Sequence, residues 1–266
     1  MSDPLFRVDG QVVLVSGGSR GIGRAIAAGF ASRGSRVIVT GRDQLTIEKT
    51  AQEISESLDT EACHPVTGVA CDVSDARQID SIADSIAEEH GRIDTLVNVA
   101  GINKRQPAVD FSEDDFDAIL DVNLKGAFFL SQAVGKRMIR QRSGSQINIG
   151  SLNTHAAMTN LLPYAISKTG LDQMTRSLAA EWGQFGIRVN TLAPGFVLTD
   201  LTRGVWAIET MEDWRIANTP QRRIGVPDDM IGTAIFLASK ASEYLTGQVI
   251  YVDGGFSAGR LWPFPD

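Results

Sequence analysis

Residues 11–43 read QVVLVSGGSRGIGRAIAAGFASRGSRVIVTGRD, and few folds accommodate that order of patterns. A short apolar run rich in β-branched residues gives way to a glycine turn, then to an apolar-periodic helix, then to a second apolar run, which is a βαβ unit. Gly17, Gly21 and Gly23 carry the spacing Gly-x-x-x-Gly-x-Gly. That spacing lets the backbone turn sharply, approach a pyrophosphate and open a helix whose amino-terminal amides face the anion. The residues expected against the phosphates are Gly17, Ser19, Arg20, Gly21, Ile22 and Gly23. The competing reading is a glycine-rich turn without a ligand; its position between strand and helix favours the phosphate.

The end of the second strand refines the ligand. Dinucleotide folds that take NAD place an acidic residue there to accept the ribose 2′-hydroxyl, whereas here the strand Val37 to Thr40 ends in Gly41-Arg42. Arg42, aided by Arg20, suits charge-assisted bonds to a 2′-phosphate, so NADP(H) is expected in preference to NAD(H). The alternative leaves Arg42 as a solvated charge beside Asp43 and Arg20 on the loop.

The rest of the chain repeats the alternation. A helix is expected from Gln44 to Leu58, a strand from Val66 to Ala70 leading to Asp72-Val73, a helix ending at Gly91, and a strand at Thr95 running into Asn98-Val99-Ala100-Gly101. Asp72 and Val73 are placed for the adenine, unless Asp72 caps the next helix. Ala100 and Gly101 suit a flat cofactor, and Asn98, also a cofactor candidate, reads better as a strand-holding amide because it lies deep. Phe111 to Arg140 reads as one long helix weakened by Asn123 and Gly126, with a kink and an ordered water near Asn123. Strands at Gln146–Ile149, Ile187–Ala193 and Gln248–Val252 complete seven. Pro194, Gly195, Val197 and Thr199 follow the sixth strand, where backbone amides and a hydroxyl can meet an amide-bearing ring. Residues 200–220 have poor periodicity and include Trp206 and Trp214, so they are the candidate substrate lid. The fold class is α/β: a Rossmann-type doubly wound seven-stranded parallel sheet in a single domain spanning residues 1–266.

Chemistry is expected after the fifth strand. Ser151 follows it, and Pro163 fits only the first turn of a helix, which makes Tyr164 and Lys168 an i, i+4 pair on one face. An ammonium near a phenol stabilises the phenolate and lowers a pKa that is ordinarily about 10. Tyr164 then serves as a general acid/base while the Ser151 hydroxyl holds a carbonyl or alcohol oxygen. Alone, Tyr-x-x-x-Lys reads first as an ordinary surface helix, because the pattern is short and frequent.

Bulk properties narrow the partners. A net charge of −7 over 266 residues, with 43% hydrophobic and 21% charged residues, argues against a generic nucleic-acid or anionic-membrane surface and for a soluble protein. No apolar run approaches the roughly 20 residues of a spanning helix. The start MSDPLFRVDG has no basic stretch followed by an apolar one, so a cytoplasmic location is expected. Cys63 and Cys71 read as reduced thiols, and with His64, His90 and His155 scattered no metal site is expected.

The glycine turn SGGSRGIG, Asp72-Val73, Asn98 to Gly101, Asn123, Ser151, Tyr164 with Lys168, Pro194-Gly195 through Thr199, and Val252-Asp253-Gly254-Gly255 together resemble the short-chain dehydrogenase/reductase family from about Leu14 to Gly255. Val99 departs from the second asparagine that many members carry. The resemblance implies hydride transfer between nicotinamide and a carbonyl or carbinol carbon, with Tyr164 as acid/base, Lys168 on the nicotinamide ribose, Ser151 orienting the substrate oxygen and Asn123 holding a relay water. It also implies a homo-oligomer, a tetramer foremost, which the apolar tail Leu261-Trp262-Pro263-Phe264 can join. The loop Ile102-Asn103-Lys104-Arg105 and the stretch beginning Thr219-Pro220 are similar to those of gluconate 5-dehydrogenases and related sugar-acid reductases. This points to a small-molecule substrate held by Lys104, Arg105, Asn153 and His155 beside Ser151 and Tyr164, with Lys104 and Arg105 as solvated loop charges the other reading. The alternatives are a 3-oxoacyl carrier-protein reductase or general ketone reductase and, from another class, an NADPH-binding sensor without chemistry.

Overall fold

Seven parallel strands in the order β3-β2-β1-β4-β5-β6-β7 form the centre of the computed structural model, which describes residues 3–58 and 63–259. They are β1 (Val12–Ser16), β2 (Arg36–Gly41), β3 (Thr67–Ala70), β4 (Thr95–Asn98), β5 (Gly144–Ile149), β6 (Ile187–Pro194) and β7 (Val249–Val252). The strands read as nearly continuous apolar runs because both faces are covered. Along β1, Val13 and Val15 join one core with Ile26, Phe30, Ile47 and Ile235. Val12 and Leu14 join the opposite core with Ile79, Ile86, Leu130 and Trp182. The first core is closed by α1 (Gly21–Ala31), α2 (Gln44–Glu56) and α9 (Ile231–Ala238), the second by α3 (Ala76–His90), α5 (Ala127–Gln141) and α6 (Leu162–Trp182). The expected doubly wound sheet is therefore the fold.

The order in which strands are added reverses between β1 and β4, which pair in parallel register from Val13↔Thr95 to Ser16↔Asn98. A crevice opens beyond their carboxyl ends, where open α/β sheets take ligands. Two expectations are corrected here, and one alternative, Asp72 as a helix cap, falls away. The long helix expected from Phe111 to Arg140 is broken into α4 (Glu113–Leu120), a π-helical turn (Asp121–Gly126) and α5, so the kink around Asn123 is a change of helix type. Residues 200–220, expected to be irregular, carry α7 (Arg203–Trp206) and α8 (Glu209–Asn218). Asp75 rather than Asp72 caps α3, accepting from the Arg77 amide at 3.0 Å. Leu261 to Phe264, expected at an oligomer interface, lie outside the described residues.

Among the described residues no helix is long and apolar enough to cross a membrane.

Candidate active site

Two glycines fix the shape of the first turn. Gly17 has φ +75°, and a Cβ there would stand 2.6 Å from the Ala100 amide nitrogen on the far side of the crevice. At Gly23 a Cβ would reach 2.2 Å from the Gly17 carbonyl oxygen, inside the turn itself. We therefore expect Gly23→Ala to destabilise the protein by roughly 1–3 kcal/mol, read as a melting temperature lower by about 2–10 °C. An unchanged melt would mean that the turn relaxes freely. The turn delivers the chain into α1 with no side-chain cap, since Arg20 at the N-cap makes no hydrogen bond there. The first amides of α1 are thus left to an anion, and Gly17, Ser19, Arg20, Gly21 and Ile22 line the cleft.

Arg42 stands at the rim beyond β2 and also lines the cleft. Asp43, the neighbour that offered the duller explanation, is committed to capping α2 through the Thr46 amide at 2.8 Å. Among the described residues neither Arg20 nor Arg42 has a hydrogen bond or ion pair through its side chain, and both are exposed. Asp72 and Val73 follow β3 into the cleft, with one Asp72 oxygen taken by the Ser74 amide at 2.9 Å. Ala100 and Gly101 line it from β4, and Pro194, Gly195, Val197 and Thr199 from β6. Uncapped amides, two glycines with no room for a side chain and two unpaired guanidinium groups in one elongated cleft fit a phosphorylated dinucleotide.

Asn98 stands apart. It lies within β4 with its Nδ2 donating to Ser131 Oγ and Asn148 Oδ1, both at 2.9 Å, and it does not line the cleft. It is the strand-holding amide, and its place among the cofactor ligands is withdrawn.

The reactive end of the cleft is assembled by β5 and α6. Ser151, Tyr164 and Lys168 line it together. Pro163 sits in the first turn of α6, so Tyr164 enters at the start of the helix and Lys168 follows one turn later on the same face. Lys168 is buried and its Nζ donates to the Ile149 carbonyl at the end of β5 at 2.7 Å. That ammonium stands 5.7 Å from the centre of the Tyr164 ring. Burial pushes the Lys168 pKa down to about 8, and the Asp172 carboxylate offsets part of the fall.

The Tyr164 phenol corrects an expectation. Burial raises it above its ordinary value, while a hydrogen bond with Ser151 and the charge of Arg105 pull it back. The Lys168 ammonium gives one of its three hydrogens to the Ile149 carbonyl and lies over the face of the ring. The second cation at the phenol is therefore Arg105, from the loop after β4.

That loop separates the two basic residues expected to bind substrate. Lys104 pairs with Asp115 on α4 at 2.5 Å and does not line the cleft. Arg105 is exposed and has no carboxylate partner among the described residues. Asn123 holds the same loop: its Oδ1 accepts from the Ile102 amide at 2.8 Å, and its Nδ2 donates to the Ile102 carbonyl at 3.0 Å and to Ser167 Oγ at 3.1 Å. With both amide hydrogens used, the Asn123 side chain positions the loop, and it does not itself line the cleft. Asn153 is buried two residues beyond Ser151, its amide donating to Ser151 Oγ at 3.2 Å and its Oδ1 without a partner. His155 is exposed and packs edge to face on Tyr251 at 5.7 Å, so it turns toward β7 and is not drawn to the phenol.

Residues not singled out from the sequence also line the cleft, among them Val122, Ile149, Gly150 and Asp200 to Thr202. Ile149 and Gly150 follow from the end of β5. Val122 arrives through the π-helical turn, for which Asn123 and Gly126 are the only local sign. Among the described residues no group of three or more His, Cys, Asp or Glu is placed to hold a metal ion.

With this geometry in view, comparison with known proteins is informative. A family model described as enoyl-(acyl carrier protein) reductase matches residues 17–257. D-threitol dehydrogenase of Mycolicibacterium smegmatis is 38% identical over 95% of this chain and 95% of its own. Gluconate 5-dehydrogenase of Gluconobacter oxydans is 37% identical over 97% of this chain and 99% of its own. Among solved structures, a gluconate 5-dehydrogenase from Burkholderia cenocepacia in complex with NADP and tartrate has a TM-score of 0.91 at 36% identity, covering 96% of this chain and 98% of that one.

Proposed function

Because the chain belongs to the short-chain dehydrogenase/reductase family, whose members act on alcohol and ketone groups, we propose that it is an NADP(H)-preferring oxidoreductase of hydroxylated carboxylic acids, of the gluconate and 5-ketogluconate kind. The bound nicotinamide supplies or accepts the hydride. Tyr164 gives a proton to the substrate oxygen in reduction and takes it back in oxidation, and Ser151 holds that oxygen by its hydroxyl. Burial keeps Tyr164 as the phenol near neutrality, which is the form that donates. Lys168, charged and tied to the end of β5, holds the nicotinamide ribose, and Asn123 keeps the loop after β4 at the right height. Residues 200–220 cover the substrate: Asp200 to Thr202 line the cleft, and Phe196 anchors the cover edge to face on Trp206 at 5.1 Å and Trp214 at 5.7 Å.

Arg105 carries the substrate reading. It is an unpaired guanidinium close enough to the reacting phenol to lower its pKa, and a carboxylate on the substrate is the natural bidentate partner for it. The relatives whose names include gluconate, and the tartrate held by the Burkholderia cenocepacia enzyme, support an acid of this size.

The test is NADPH oxidation over a panel of sugar-derived keto acids, neutral ketoses, 3-oxoacyl thioesters and simple ketones, followed by Arg105→Gln. The variant is expected to raise KM for the keto acid by about 10- to 100-fold, the loss of one charge-assisted bonded pair, while neutral ketoses keep their constants. Equal use of neutral ketoses, with no dependence on Arg105, would defeat the sugar-acid assignment.

A further inference from the structure

The face of α6 that carries Tyr164 and Lys168 continues one turn to Asp172, giving carboxylate, ammonium and phenol at i+8, i+4 and i. Asp172 is only 3% exposed, and its Oδ1 has no hydrogen-bond partner among the described residues. It lies behind the wall of the cleft: a Cβ built on Gly150, which lines the cleft, would stand 3.4 Å from that oxygen. A carboxylate left in such a place without function costs several kcal/mol, so its surroundings have to account for it.

Two hydrogen-bonded lines lead to the carboxylate. Asn98 donates to Asn148 at 2.9 Å, Asn148 to Thr175 at 2.8 Å, and Thr175 bonds Thr191 at 2.8 Å; burial raises the Asp172 pKa, and Thr154, Arg176, Thr191 and Lys168 offset part of that rise. From the other side Thr154 donates to the Ser151 carbonyl and bonds the Tyr251 hydroxyl, both at 3.0 Å. The cations facing Asp172 are Arg176 and Lys168. Arg176 is exposed and screened by water. Lys168 is buried, and the Asp172 charge opposes the effect of burial on its ammonium.

We propose that Asp172 is a positioning residue for the reaction, a buried counter-ion that keeps the Lys168 ammonium protonated and fixed against the end of β5. This inference rests on the reading of Lys168 given above, and it extends the functional pair to a triad along one helix face. Burial works against the charge of both groups, Asp172 opposes that effect at Lys168, and Lys168 serves the ribose. Asn98 thereby gains an indirect part, as the far end of one line.

The experiment compares Asp172→Asn, Asp172→Glu and the wild type by the pH dependence of NADPH-linked turnover. Lysine ζ-ammonium titration is followed in parallel by NMR, with Lys168→Arg assigning the signal. Loss of the Asp172 charge is expected to move the Lys168 titration, and the alkaline limb of kcat/KM with it, to lower pH by roughly one unit. Asp172→Glu restores most of the difference. A residue that merely supported the helix would lower the melting temperature and leave the limb in place, and an unmoved limb in a folded Asp172→Asn protein overturns the proposal. Should both variants fail to fold, the wild type decides: a labelled Asp172 carboxyl still protonated at pH 8 also overturns it. The NMR readout needs no turnover, so an enzyme inactive on every carbonyl tested would sink the proposed function and leave this test standing.

Discussion

Replacing Tyr164 with phenylalanine is expected to lower kcat/KM by about 10²- to 10⁴-fold, the range for losing one positioned acid/base, while NADPH affinity stays near that of the wild type. The substitution removes one oxygen and keeps the ring over which the Lys168 ammonium sits 5.7 Å from the centre, so the helix face and the ribose site are undisturbed. Steady-state turnover and quenching of NADPH fluorescence separate the two quantities. Direction adds a second signature. The phenol is held above its ordinary pKa by burial, so reduction, which uses the phenol, should run at full rate through neutrality. Oxidation, which needs the phenolate, should climb as pH rises toward that value, and the climb should vanish in the phenylalanine variant. Turnover within about tenfold of the wild type would place the acid/base elsewhere. A protein that only senses the nucleotide would bind NADPH in both forms and turn over in neither.

The parts of this arrangement that were legible in the sequence are those written in local pattern. Parallel strands covered on both faces become apolar runs, so β1 to β7 could be found, and with them the strand ends from which Ser151, Ala100 and Pro194 enter the cleft. The Gly17 to Gly23 spacing is legible because the turn leaves no room for a Cβ at its two tightest points. What the sequence hides depends on which remote group a side chain meets. Lys104 and Arg105 are adjacent and alike, and they part company only because Asp115, on another element, reaches one of them. Lys168 and Tyr164 are correctly spaced, yet the ammonium turns to the Ile149 carbonyl, an acceptor 19 residues earlier whose position only the sheet defines. The π-helical turn at Asp121–Gly126 was missed because one long amphipathic pattern runs across it, and tertiary bonds from Asn123 to Ile102 hold the altered geometry. In residues 200–220 the helices are short and lean on Phe196, so their order comes from packing and leaves little periodicity to read.

Replacing Arg42 with aspartate should reverse the choice of nucleotide. At the end of β2 a carboxylate accepts a ribose 2′-hydroxyl and repels a 2′-phosphate, whereas a guanidinium does the opposite. Arg42 is exposed, lines the cleft and has no side-chain hydrogen bond or ion pair among the described residues, so its substitution should leave stability within about 0.5 kcal/mol. A hydrogen bond to a charged group is worth about 1.5–3 kcal/mol, and two such bonds to one phosphate amount to a change of about 10²- to 10⁴-fold in the NADPH to NADH ratio of kcat/KM. Arg42→Ala should deliver part of that change, since it removes attraction without adding repulsion. Arg20→Ala should do likewise if both guanidinium groups converge on the phosphate. Because the contact is exposed, raising the salt concentration should weaken NADPH binding more than NADH binding in the wild type and equally in Arg42→Asp. A ratio that stays put in Arg42→Asp would mean that the 2′ position is read elsewhere, and that the glycine turn alone, with the uncapped start of α1, sets the affinity for either nucleotide.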